Sequence, residues 1–255
     1  MVMKMEQQNE MPITKRLNIN KITPLTFFEI SILPLLGIGL ASSYYKIIAL
    51  HNNIYYAAYA LVNAWKTDQR DLTGDISQFP MFERTMHLQN AYITYNNCVD
   101  YVYQVLFFYY DLDSCVNKAK SYDDIVNFEK CVKAKRRDEF DRKTKDKNSE
   151  LYKVIKKFRE EIKGLGSKAN NIKHDAGFWI DGNHINTFGT TRKNIAGEEV
   201  NLSQIIIPPR YNISDEIEFL VNVHNEFIVL EKVLFEQLAY KAKIKEFLHS
   251  MGLNK

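Results

Sequence analysis

Cysteine is scarce: 255 residues carry only Cys98, Cys115 and Cys131, with no CxxC pair and no histidine at zinc-finger spacing. A disulfide-stapled scaffold and a structural zinc site have no support, and the three thiols read as reduced, as in a cytoplasmic protein. Glycine motifs are missing too. There is no Walker-type loop, no GxGxxG and no nucleophile elbow to support nucleotide-dependent or serine-hydrolase chemistry. Met1 to Lys21 is polar and lacks the apolar run of a secretory signal, so residues 1–24 read as a flexible tail. No repeat of solenoid period occurs.

One stretch lacks charge. Ile47 to Trp65 is 19 residues without Asp, Glu, Lys or Arg, close to the length that spans a bilayer. It also carries His51, Asn52, Asn53 and Asn63, each costly in hydrocarbon, and Pro34, Gly37 and Gly39 punctuate the segment before it. The segment reads as a buried core helix, and no membrane partner is expected.

Helical periodicity dominates what is present. A helix is predicted from about Leu35 to Lys66, with Ile47, Leu50, Ile54, Leu61 and Trp65 on one side. Leu88, Tyr92, Tyr95, Val99, Val102, Leu106 and Tyr109 form an apolar stripe, and Asn90, Asn97, Gln104 and Asp111 repeat every seven residues opposite it. Shorter helices are expected over Tyr122 to Phe140, capped by Ser121, and over Ser149 to Lys163. Gly164-Leu165-Gly166 then breaks the pattern, and Ser167 is positioned to cap a further helix carrying Asn170 to His174. Asp181-Gly182-Asn183 signals a hairpin turn, and Gln204 to Ile207 a short strand. A last helix, lined by Leu220, Val223, Phe227, Leu230, Leu234 and Leu238, is predicted from Ser214 to about Leu248 with Ser214 as its cap. The expected fold is mainly α, an up-and-down helical bundle. A helical extension over 25–80 would precede a bundle over 81–255, with a β-hairpin insertion at about 178–208.

Charge is uneven. Residues 130–173 hold sixteen Lys and Arg against seven Asp and Glu, a local excess of +9 that leaves −6 for the rest of a chain whose net charge is +3. A basic face of this kind attracts polyanions, RNA above all, through phosphate contacts. Within it, Asn170 and His174 stand four apart on a helix, presenting an amide and an imidazole side by side, with Lys168 and Lys173 near them. A histidine can move the proton of a ribose hydroxyl or of a leaving oxygen, and a cation with an amide can hold the phosphate. No cofactor and no metal is needed for that chemistry.

Asn170-Asn171-Ile172-Lys173-His174 resembles the signature of HEPN domains, in particular of abortive-infection HEPN proteins. In that family an arginine followed by a polar residue stands four to six positions before a histidine. The order of helices over roughly Phe82 to Leu248 is similar as well. The resemblance implies a four-helix core and a homodimer that joins two motifs. It also implies metal-independent RNA cleavage in prokaryotic defence or toxin-antitoxin function. Carried onto this chain, His174, Asn170 and Lys168 take the catalytic positions, and Lys173, Asn171, Asn97 and Asp100 contact RNA. The chain departs from the family at Ala169, which fills the arginine slot, with Lys168 inside the looser spacing. The reading therefore covers both an endoribonuclease and an RNA-binding relative that does not cut.

Two alternatives stand beside it. A non-enzymatic helical interaction protein would bury its long stripes, Leu88 to Tyr109 included, against a protein partner. An HD-type metal phosphohydrolase could use His174-Asp175, but no histidine lies between His87 and His174 to complete a ligand set. His224, on the apolar face of the last helix, reads as a satisfied core histidine.

Overall fold

The computed structural model describes residues 12–67, 79–174, 179–180, 191–193, 199–201 and 210–253. Its helices are α1 (Ile13–Arg16), α2 (Phe27–Leu36), α3 (Ile38–Thr67), α4 (Phe79–Tyr110), α5 (Tyr122–Cys131), α6 (Arg137–Lys147), α7 (Ser149–Glu161), α8 (Leu165–His174), α9 (Ile213–Leu238) and α10 (Tyr240–Ser250). The fold is mainly α. Trp179–Ile180 pairs in parallel with Arg210–Tyr211, and Thr191–Lys193 pairs antiparallel with Glu199–Asn201. The turn expected at Asp181 to Asn183 and the strand at Gln204 to Ile207 lie outside the described residues.

The framework is the long antiparallel pair α3 and α4. Ser43 Oγ donates to the Val105 carbonyl at 3.1 Å near one end, and Arg84 Nε donates to the Ala64 carbonyl at 3.0 Å near the other. The backbones come so close that a Cβ on Gly39 would sit 2.6 Å from the Phe108 carbonyl oxygen, a contact only glycine permits. The third member, α9, fills the groove between them. Its predicted stripe, Leu220, Val223, Phe227, Leu230, Leu234 and Leu238, is wholly buried, as are Leu88 to Leu106 of the α4 stripe and Ile47, Leu50, Ile54 and Leu61 of α3. Phe227 stacks on Tyr95 of α4 at 5.8 Å and meets Phe158 of α7 edge-on at 4.9 Å, tying three helices together. The Leu88 to Tyr109 stripe is thus used inside the chain, not on a partner. Likewise α3, which falls in the expected 25–80 extension, belongs to the same buried cluster as the bundle.

Several helix ends differ from expectation. The first long helix is split at Gly37, whose φ of 134° no helix tolerates, so α2 and α3 meet at a kink. Ser121 caps α5 with Asp124 completing a capping box, but α5 stops at Cys131, and Phe140 belongs to α6. Asn148 caps α7 and Asn212 caps α9, its side chain accepting from the Ser214 and Asp215 amides, so Ser214 itself lies inside α9. Ser167 is not a cap either: α8 begins at Leu165, and the Ser167 hydroxyl donates back to the Gly164 carbonyl at 2.9 Å. The last helix breaks at Ala239, which takes a left-handed conformation with φ 46°.

The segment from Pro12 to Leu25 is not the free tail expected for residues 1–24. Ile13 is fully buried, and the strap behind it is fastened to α9. Asn18 donates its amide to Asn225 Oδ1 at 2.8 Å, and the Asn18 carbonyl lies 2.8 Å from His224 Nε2. Asn20 Nδ2 donates to Glu231 at 3.0 Å, and His51 meets the same carboxylate at 2.8 Å. His224 is the satisfied core histidine foreseen, with Tyr95 on its other nitrogen at 3.0 Å.

Burial lowers the His224 pKa below its ordinary 6.5, while the Asn18 carbonyl partly opposes that shift. The unfolded chain therefore takes up a proton where the native state does not. Stability is full above about pH 6.5 and is lost as pH falls through the folded value, at about 1.4 kcal/mol for each unit of depression. Burial holds Glu231 above the usual carboxylate range, which acts in the opposite sense at lower pH. The measurement is therefore a difference: between about pH 7.5 and 5.5 the wild type loses more stability than His224→Gln.

Candidate functional site

The motif helix α8 lies against α4. Gly166 faces Asn96 and Lys168 lies over the Tyr92 ring at 5.7 Å, so the two helices run antiparallel. Leu165 and Ala169 are buried on the inner side, Ile172 is partly so, and Asn170, Lys173 and His174 are exposed on the outer side, with Asn171 between. The i,i+4 juxtaposition of Asn170 and His174 expected from the sequence is therefore present on an exposed face. Lys173 and His174 close the helix, where positive charge suits the dipole.

Lys168 points elsewhere. Its ammonium donates to both oxygens of Glu216 at 2.7 Å, and it sits over the rings of Phe219 at 4.8 Å and Tyr211 at 5.2 Å as well as Tyr92. The Tyr92 hydroxyl donates to the same carboxylate. Burial first, and Glu216 second, push the Tyr92 hydroxyl far above the ordinary phenol range, which keeps it a donor. The cation that sequence spacing offered as the arginine's substitute is thus the clasp that fastens α8 to α9. The arginine slot itself, Ala169, is 0% exposed against the core.

Asn97 and Asp100 do not join this group. Both line a surface cavity of about 230 Å³ with Lys46, Tyr101, Gln104 and Glu129. Asp100 accepts from Arg137 at 2.7 Å, and Lys46 is paired with Glu129 at 2.7 Å. Because α8 runs back along α4 from Asn96 past Tyr92, His174 is carried away from Asn97 and Asp100.

Six of the sixteen cations of residues 130–173 are held in ion pairs. Arg136 forks onto Asp113 at 2.9 and 3.0 Å and also binds Glu139. Lys143 bridges Asp113 and Glu139, Arg159 holds Asp138 and Asp141, and Arg137 takes Asp100. These pairs hold α6 against α4 and α7, a structural role that a linear charge count could not reveal. Ten of the sixteen are exposed and have no ion pair among the described residues, and of these Lys156 and Lys157 of α7, Lys163 in the turn after it, and Lys173 lie on α7 and α8 or between them.

Asp175, needed for an HD-type dyad, lies outside the described residues. Compared with family models, with curated proteins and with solved structures, the chain matches none.

Proposed function

We propose that the protein is a HEPN-like RNA-directed protein of the binding kind, which holds RNA on α7 and α8 and does not cut it. The observation that carries this reading is the capture of Lys168 by Glu216 beside an outward-facing Asn170, Lys173 and His174. Transesterification at phosphate needs a proton carrier and a cation at the phosphate together. Here the carrier faces outward, and Lys168, the cation spaced to stand in for the signature arginine, is committed to a carboxylate. Lys156, Lys157, Lys163 and Lys173 supply the sequence-independent phosphate contacts that binding requires. Homodimerisation and a place in cellular defence, which the family resemblance implies, belong to the same proposal.

The test is a salt titration of binding to single-stranded RNA. Affinity falls as salt rises, and combining Lys156→Glu, Lys157→Glu and Lys173→Glu removes about two units from the slope, roughly 0.7 for each phosphate that is no longer neutralised. Salt-independent binding, or a slope that the triple variant leaves unchanged, refutes the reading.

A further inference from the structure

The most anomalous surface lies on α2, and the RNA reading does not use it. A helix of a globular protein is apolar toward the core and polar toward water, whereas one that is apolar all round is normally covered on every side. The inner side of α2 carries the buried Ile32 and Leu33. Its outer side carries Phe27, Ser31, Pro34 and Leu35 at helical spacing, with Phe28 beside Phe27, all exposed. Phe27 is 91% exposed, Leu35 70% and Phe28 62%, and Ile38 extends the patch just past the Gly37 kink. The one charge on the helix, Glu29, is folded back onto the Thr26 amide at 2.7 Å in a capping box.

Cations border this face. Lys241 and Lys245 of α10 lie near enough to Glu29 to help hold its carboxyl below the usual range, an effect led by the Thr26 hydrogen bond. Lys21 and Lys241 line one neighbouring cavity, and Lys243 with Glu246 another. A second copy of the chain placed on the face by a two-fold axis would set one lysine-bearing rim against another. An anionic bilayer surface takes both components at once: aromatic side chains enter the headgroup boundary while lysines meet lipid phosphates. A ten-residue helix is about 15 Å long, half the hydrocarbon thickness, and no helix among the described residues is long and apolar enough to cross. Contact is therefore along the surface, which the expectation of no membrane partner, argued from spanning, did not address.

We propose that α2 is a membrane-surface anchor, with Phe27, Phe28 and Leu35 entering the interface of an anionic bilayer and Lys241 and Lys245 engaging its headgroups. The experiment is co-sedimentation of the full chain with phosphatidylcholine vesicles, with and without about a third phosphatidylserine, while light scattering records oligomeric state. The wild type binds the phosphatidylserine vesicles and loses them as salt rises. Phe27→Ser with Phe28→Ser lowers the partition coefficient about a hundredfold, and Lys241→Glu with Lys245→Glu lowers it at least about tenfold, while circular dichroism shows the fold unchanged. Absence of binding to the anionic vesicles, or binding that survives loss of both phenylalanines, overturns the proposal. So does a dimer that the phenylalanine variant returns to monomer, which would assign the face to a second copy.

Discussion

Lys168→Ala lowers the free energy of unfolding by about 3–5 kcal/mol, a large effect for a partly exposed lysine. The reason is what it leaves behind. The Glu216 side chain is only 6% exposed, and its two oxygens would keep the Tyr92 hydroxyl but lose the ammonium that neutralises them. An unpaired carboxylate between α4, α8 and α9 loosens the attachment of the motif helix. Urea unfolding of the single variants and of Lys168→Met with Glu216→Gln separates pair from packing, because the double variant removes both charges and recovers most of the loss. RNA affinity per folded molecule is unchanged by Lys168→Ala. Were Lys168 a phosphate ligand, the pattern would reverse: affinity would drop and stability would hold.

Ala169→Arg, which supplies the arginine of the signature this helix resembles, destroys the fold and does not create an enzyme. Ala169 is 0% exposed on the face of α8 that packs on α4, flanked by the buried Leu165 and the partly buried Ile172. A guanidinium there overfills a packed contact and is cut off from water, which together cost more than about 4 kcal/mol. The variant accumulates as insoluble protein or melts well below the wild type, whereas Ala169→Ser, which adds one small atom, stays folded. A soluble Ala169→Arg protein that cleaves RNA in EDTA would show that the slot is open to the site.

The difference between a legible and an illegible feature lies in the range of the interaction. The stripes on α4 and α9 could be read because helical periodicity records burial locally, and Leu165, Ala169 and Ile172 carried the same signal for the inner face of α8. Gly37 was visible as a glycine, though not its φ of 134°. The break at Ala239 had no local marker, since no glycine or proline occurs between Ile213 and Ser250. It is imposed from outside: Tyr109 donates to the Leu238 carbonyl at 2.8 Å, and the buried Tyr240 reaches across to Ser43 at 2.6 Å. The role of Lys168 was hidden for a similar reason, because its partner Glu216 stands 48 residues away. Sequence spacing placed Lys168 four to six residues before a histidine, but only the packing of α8 on α4 and α9 decides which way it points. The docked strap around Asn18 and Asn20 likewise depends on polar groups of α9 that no period reveals.

On the function proposed above, the outward face of α8 binds RNA without cutting it. The most direct test is incubation of the wild-type chain with end-labelled single-stranded RNA in EDTA, with bound fraction and product ends read from the same samples. Binding without cleavage predicts salt-sensitive retention of intact RNA. Fragments ending in 2′,3′-cyclic phosphate, produced by the wild type and lost in His174→Ala, would contradict it.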